Sequence, residues 1–372
     1  MNIIGIIAEY NPFHNGHVYQ IKRIRELYPN SLIIVVLNGN FTQRGDVSII
    51  NKWDKTKIIL EHNVDLVVEL PIFYGINNAD IFAKGALEIL NDLKIDTLVF
   101  GTERDNINEL INVAKLKNTN EYKLLLKENL DKGYSYPKSS YDAIETLSNI
   151  KISTPNDILA LSYIEEIINN NYNMKPISIK RTNDYHSNEL NDIASASAIR
   201  KAIKNNIDIS KTVPNETLKY INNICIDDYF DLLKYKIIST NDLTIYHDVK
   251  EGIDIRIKKY IYEVNTLEEL INKVKTKRFT YNRIKRILLY ILLDIKKDEN
   301  ITNYIRLLGF NENGSNYLNK IKKELTLQLI SNYKDNKELL KLEYKVNSIY
   351  SLKSNDINSN IRNEFNKPIM KK

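Results

Sequence analysis

The sequence predicts a doubly wound α/β domain built on a parallel sheet, followed by a mainly α-helical C-terminal region. Three observations predict it. Short, unbroken apolar and β-branched runs recur through the first hundred residues, at Ile3–Ala8, Leu32–Leu37, Leu66–Leu70 and Thr97–Phe100. Helix-like stretches separate them, at His17–Tyr28, Lys52–Glu61 and Ala79–Leu93. Apolar runs without polar alternation are strands covered on both faces, and helices between them are the crossovers of a parallel sheet. Finally, eight of the eleven glycines fall by position 133, where tight strand-to-helix turns are needed.

Beyond the first four strands the pattern from Ile107 to Asn170 is mainly helical. Lys175–Lys180, set up by Pro176, is a further strand, and Ser197–Lys204 is a short helix. After Pro214 the chain runs in amphipathic helical stretches with little glycine, such as Ile284–Ile295 and Leu318–Tyr333. The expected division is an α/β domain at 1–210 and a helical region at 211–372, with a frayed polar tail after Ser354.

Composition narrows the class. Of 372 residues, 43% are hydrophobic and 27% charged, as in soluble globular proteins. No apolar run approaches the roughly 18–20 residues that span a bilayer, so no membrane association is expected. The N-terminus enters a strand-like run directly, without the basic segment and small-residue cleavage site of a signal peptide. Cys225 is the single cysteine, which excludes an internal disulfide and disfavours a cysteine-based zinc site. The default compartment is the cytoplasm, and no obligate protein partner is evident. Charge is unevenly divided: residues 1–185 hold 20 Lys and Arg against 23 Asp and Glu, whereas the remainder holds 33 against 24. Such asymmetry fits either a polyanionic partner for the C-terminal half or ordinary solvated helix faces.

The most informative segment is Ala8-Glu9-Tyr10-Asn11-Pro12-Phe13-His14-Asn15-Gly16-His17. It follows the first strand and opens a helix, at the end of an α/β sheet where ligands bind. A helix N-terminus offers free N–H groups and positive potential to a phosphate. Gly16 would let a ligand approach the backbone, and His14 and His17 would donate to phosphate oxygens as charge builds in a transition state. A His-x-x-His pair also suits capping and packing, or a metal. No third ligand is evident nearby, so no protein-held metal is expected. A Mg²⁺ ion carried by ATP phosphates is expected instead.

This run resembles the HxGH signature of nucleotidyltransferases. The longer pattern is more specific. It continues with Gly39-Asn40-Phe41-Thr42-Gln43-Arg44-Gly45, Glu69-Leu70-Pro71 and Phe100-Gly101-Thr102-Glu103, each after a strand, and later with Ser195-Ala196-Ser197-Ala198-Ile199-Arg200 and Lys275-Thr276-Lys277-Arg278-Phe279-Thr280-Tyr281. Together, from residue 3 to about 330, it resembles the bacterial tRNA(Met) cytidine acetate ligase family. The resemblance implies a nucleotidyltransferase-like (HUP) catalytic domain at 1–210 and a tRNA-binding region at 211–372. It implies an ATP-dependent ligase that forms acetyl-adenylate and acetylates N4 of the wobble cytidine of elongator tRNA(Met). It also implies an ATP-binding segment of Ile7, Ala8, Glu9, Tyr10, Asn11, Pro12, Phe13, His14, Asn15, Gly16, His17, Val18, Tyr19 and Gln20, joined by Gly101, Asn156, Arg181, Ser197 and Arg200. His14 and His17 match the catalytic, phosphate-binding histidines. For Asn156 simple helix capping is an alternative, and for Arg181 a surface position. Ser195–Arg200 could itself be only a helix cap, and Gln43-Arg44-Gly45 either lies over the active site or orders its loop.

In the basic half, residues 275–286 carry six basic and no acidic groups, with Phe279 and Tyr281 interleaved. Lys275, Lys277, Arg278, Arg283 and Arg286 are the candidate tRNA contacts, since cations bind phosphates and aromatic rings stack on unpaired bases. A solvated helix start with core-facing aromatics is the alternative. Two other functions suit parts of the chain: a small-molecule adenylyl- or cytidylyltransferase, and a non-catalytic RNA-binding protein with an idle nucleotide fold.

Overall fold

The computed structural model describes residues 1–104, 106–181, 192–299, 301–354 and 356–371. Eight strands form one sheet in the order β5-β4-β1-β2-β3-β6-β7, with β8 also on β6. The strands are β1 (Ile3–Ala8), β2 (Leu32–Asn38), β3 (Leu66–Leu70), β4 (Thr97–Thr102), β5 (Lys175–Lys180), β6 (Ile305–Phe310), β7 (Leu329–Ile330) and β8 (Ile369–Met370). β1 to β5 pair in parallel. The helices α1 (Asn15–Leu27), α2 (Lys52–Glu61), α3 (Ile72–Gly75) and α4 (Ala79–Asp92) link the first four strands. Between β4 and β5 run α5 (Ile107–Leu116), α6 (Asn120–Asp131), α7 (Tyr136–Ser148) and α8 (Pro155–Asn169).

Alternation along buried strands sends side chains to two cores. Leu32, Ile34 and Val36 join the core beneath α4 and α8, whereas Ile33, Val35 and Leu37 join the one beneath α1 and α2. The chain reverses direction across the sheet between β1 and β4, which opens the crevice where ligands bind in such sheets.

The remaining helices are α9 (Ala196–Lys204), α10 (Asn215–Leu218), α11 (Phe230–Ser239), α12 (Ile253–Tyr260), α13 (Leu267–Val274), α14 (Tyr281–Leu292), α15 (Glu312–Ile321), α16 (Lys341–Ser351) and α17 (Ile357–Asn363). α11 to α14 enclose a third core, which also takes in Phe41, Val47, Ile72 and Ile76 from the α/β part.

Three expectations need correction. Residues beyond 210 do not stand apart from the sheet, because β6 pairs antiparallel with β3 and brings β7 and β8 with it. The stretch Leu318–Tyr333 is not one helix: α15 stops at Ile321 and β7 follows. The described tail is not frayed either, since Glu364 is buried and Ile369 pairs with Gly309. For the first and the last, the physical reason is a buried ion network that joins α2, β3, β6 and the end of the chain. Lys52 Nζ lies 2.5 Å from Glu69 and 3.0 Å from Glu364, and Arg306 Nη1 lies 3.0 and 2.9 Å from the same two carboxylates. Trp53 Nε1 donates to Glu364 at 3.0 Å. Two cations face two anions. A third carboxyl, Glu343, accepts from Ile72 N–H and Tyr304 O–H, and burial with the nearby Glu69 charge pushes it well above the usual carboxylate range.

Candidate active site

A cavity of about 260 Å³ opens at the carboxyl ends of β1 and β4. Its walls come from the loop after β1, the loop after β2, the end of β4, the start of α8, the end of β5 and the start of α9. From the first-strand segment, Ile7 to Asn11, His14, Gly16, His17, Tyr19 and Gln20 line it. So do Gly101, Asn156, Arg181, Ser197 and Arg200. Four residues expected there do not line it. Phe13 is fully buried in the core under α1, Val18 packs against that core, and Pro12 lies in the loop behind. Asn15 instead ties the loop down, donating to the carbonyls of Asp192 and Lys211 at 2.8 Å each.

Local chemistry places the two histidines. His14 is the N-cap of α1, and its Nδ1 accepts from Gly16 N–H at 3.1 Å. Nδ1 of His17 accepts from His14 N–H at 3.1 Å, closing a reciprocal capping box. An accepting Nδ1 assigns the ring proton to Nε2, so each neutral ring keeps Nε2–H as its donor. The rings stack with centroids 3.7 Å apart. Burial, then the charges of Arg181 and Arg200, push His14 down to about 3. Burial, then His14 and Arg181, hold His17 well below the usual histidine range. Both are therefore neutral hydrogen-bond donors at physiological pH. Gly16 is required for a reason the sequence did not disclose: a Cβ there would stand 2.8 Å from His14 Cε1, inside the ring's van der Waals surface.

The opposite wall is organised by Glu103. Its Oε1 accepts from Asn156 Nδ2 at 2.5 Å and lies 3.8 Å from Arg181 Nε. Asn156 is thus not the cap of α8, which is Thr154, and Arg181 is half-buried against the end of β4. The Arg181 stem lies over Gly101, where a Cβ would meet Arg181 Cγ at 3.4 Å. Ser195 caps α9 through Ala198 N–H, which leaves Ser197 exposed at the cavity. Arg200 crosses to the first loop and donates to Asn11 O at 2.6 Å. Asn11 itself clamps the second loop, donating to Val47 O and accepting from Ile49 N–H. Sequence reasoning missed Leu159 and Tyr163, which line the cavity. Their spacing from Asn156, three and seven residues along one helix face, was the available signal.

A family model described as HIGH Nucleotidyl Transferase matches residues 1–364. A tRNA(Met) cytidine acetate ligase of Clostridium acetobutylicum is 37% identical over 96% of this chain and 97% of its own length. That of Mycoplasmopsis pulmonis is 45% identical over 79% of this chain and 99% of its own. The chain belongs to the tRNA(Met) cytidine acetate ligase family. Among solved structures, apo Thermotoga maritima TmcAL superposes with a TM-score of 0.91 at 27% identity, covering 100% of this chain and 99% of that one. The same enzyme bound with alpha-thio ATP gives 0.90 at 27% identity, with the same coverage. Membership makes the chain a ligase with a nucleotidyltransferase-like fold that binds ATP. No helix among the described residues is long and apolar enough to cross a membrane.

The basic segment divides in two. Lys275, Lys277 and Arg278 are exposed between α13 and α14. Arg283 is engaged within the fold, with Nε and Nη2 each 2.9 Å from the Asp248 carboxylate and its guanidinium 4.4 Å from the Phe279 ring. Arg286 is half-buried on α14, one turn from Tyr290. Phe279 belongs to the helical core and is not available to stack on a base. The alternating pattern of cations and aromatics was the turn of an amphipathic helix entering its core.

Gly101 allows a direct check of where the nucleotide lies. Ala at this position meets only ordinary contacts and should fold. Gly101→Leu should push the Arg181 stem into the cavity and weaken ATP binding by roughly 100-fold, the steric exclusion of one well-packed contact surface. Calorimetric titration of ATP into both variants reads the difference, and equal affinities would remove adenosine from this wall.

Proposed function

We propose that this enzyme joins acetate to ATP, forming acetyl-adenylate, and then acetylates N4 of the wobble cytidine of elongator tRNA(Met). The observation that carries the reading is the single cavity that gathers His14, His17, Asn156, Arg181 and Arg200 from distant parts of the chain. Adenosine lies against Gly101 and the Arg181 stem. The β- and γ-phosphates lie at the start of α9, on Ser197 and Arg200, where free N–H groups and a guanidinium favour anions. A carboxylate oxygen of acetate attacks the α-phosphorus while the bond to the pyrophosphate oxygen breaks. The Nε2–H groups of His14 and His17 meet the charge that builds on the phosphate oxygens, and burial strengthens that interaction. In the second half the cytidine amine attacks the acetyl carbonyl. The carbon–nitrogen bond forms, AMP leaves and the amine loses a proton.

The cavity carboxylates Glu9 and Asp46 already hold partners: Asn38 and Gln43 N–H for Glu9, Lys285 for Asp46. A Mg²⁺ ion is accordingly held mainly through the phosphates it arrives with. The setting is cytoplasmic, where ATP and uncharged tRNA are both present. Pyrophosphate release, assayed with acetate and tRNA singly and together, tests the reading. Release that ignores acetate favours a small-molecule nucleotidyltransferase, and no release under any condition favours an idle fold.

Lys275, Lys277 and Arg278 are the proposed contacts to the tRNA backbone. Changing all three to Glu should weaken tRNA binding and flatten its dependence on log salt by roughly one unit per lost phosphate contact. ATP affinity should stay as it is. Filter binding across a salt series measures the slope, and an unchanged slope would assign these cations to solvent.

A further inference from the structure

The turn Thr42–Asp46, which follows β2, is held from within and from both sides. At its base Phe41 bridges Val47, and both are buried in the helical core. Within it, Thr42 N–H donates to Asp46 O at 2.8 Å, Gly45 N–H to Thr42 O at 2.9 Å, and Asp46 N–H to Thr42 Oγ1 at 3.1 Å. On one side Gln43 N–H donates to Glu9 Oε1 at 2.6 Å. On the other side α14 closes against it. Gly45 adopts φ +78°, and a Cβ there would stand 3.1 Å from the Lys285 carbonyl carbon and 3.3 Å from Arg286 N. Lys285 is ion-paired to Asp46. The tip, Gln43-Arg44, faces the cavity.

Position says what this wall receives. In the proposed reaction the nucleotide occupies the β1–β4 crevice, and its pyrophosphate end lies at the start of α9. In-line attack brings the carboxylate to the α-phosphorus from the side opposite the leaving group. The turn lies beyond β1 from that crevice, because β2 is the neighbour of β1 on the other side. It carries one guanidinium to the cavity, Arg44, in the same electrostatic neighbourhood as Glu9, Arg200, Asp46 and Arg181. A guanidinium is always charged and gives a carboxylate oxygen a strong charge-assisted hydrogen bond.

We propose that the Thr42–Asp46 turn is the acyl subsite, with Arg44 binding the acetate carboxylate and Lys285 positioning the turn from α14. This rests on the ligase reading above. The arrangement suits a small acid: a turn braced on both sides carries Arg44 to the cavity, where its guanidinium holds one oxygen of the carboxylate and leaves the other for attack.

The test is pyrophosphate release by the full-length enzyme with elongator tRNA(Met), varying acetate and ATP separately. Arg44→Gln should raise the KM for acetate roughly 10- to 100-fold, the loss of a charge-assisted pair, with the KM for ATP changed less than about threefold. Arg44→Lys should recover part of the loss, which also shows that the site still folds. Lys285→Met should raise the acetate KM by a smaller factor at unchanged melting temperature, and Lys285→Arg should restore it. An acetate KM that does not move, or an ATP KM that rises in step with it, overturns the subsite and makes Arg44 a phosphate ligand. Wild-type release that does not depend on acetate overturns the ligase reading and the subsite together, a result distinct from either.

Discussion

His14→Asn should lower acetyl-adenylate formation by about 10²–10³-fold, the usual loss when one preorganised donor is removed from a charge-building transition state, while the protein stays folded. Asparagine is the informative replacement because His14 has two jobs. Its Nδ1 caps α1, and the Asn side-chain oxygen can do the same. Its Nε2–H is the donor left for the cavity that His14 lines, and the shorter Asn cannot deliver a donor at the same place. His14→Ala removes both and should cost about 1 kcal/mol of stability besides. His17→Asn should lose comparable activity. Single-turnover adenylate formation and urea denaturation separate the two effects, and near-normal turnover in His14→Asn would remove the histidines from the chemistry.

The same two histidines predict a pH effect. Their folded values lie below the unfolded value of about 6.5, so unfolding takes up protons in acid. The stability that neutral burial preserves is complete above about pH 6.5. It falls as pH drops below that, by up to about 1.4 kcal/mol per pH unit for each histidine. For His14 the decline continues towards its folded value of about 3. The Asn variants should therefore show a shallower acid slope than the wild type by one proton each. Equal slopes would mean that the imidazoles are charged in the folded protein.

Lys52→Met should destabilise the fold by about 3–5 kcal/mol, since it leaves a buried carboxylate pair without one of its two cations. Lys52 and Glu364 are both fully buried, so water cannot take over the lost contacts. The midpoint of urea unfolding should fall, with little change in the slope if the protein remains two-state. Arg306→Met should act similarly. A loss below about 1 kcal/mol would mean that the carboxylates share a proton and that the network is not ionised.

The network also explains why the end of the chain was hard to read. Ile305-Arg306-Leu307-Leu308-Gly309-Phe310 has the same apolar, glycine-bearing make-up as β1, and by composition it is a strand. Arg306, its second residue, argues against burial, and helical segments precede and follow it. Only the partner carboxylates, one on β3 and one near the chain's end, make a buried arginine tolerable. A pairing of residues more than two hundred positions apart leaves no periodic trace.

What the sequence determined by itself was local. The five parallel strands and the helices between them follow from short-range hydrophobic periodicity, and residues a few positions apart share a face by geometry alone. The site segment after β1 was legible because His14, Gly16 and His17 form one capping box over four residues. The tertiary structure decided the rest. It packed Phe13 and Val18 against the core under α1, tied Asn15 to the carbonyls of Asp192 and Lys211, and paired Arg283 with Asp248. It brought Glu103 between Asn156 and Arg181, and it set Thr42–Asp46 against α14. For Asn15, Arg181, Asn156, Arg283 and the Thr42–Asp46 turn the deciding partner is tens to hundreds of positions away. Whether a charged or polar group faces a ligand, solvent or a buried counter-charge depends on that partner, and packing rather than local pattern supplies it.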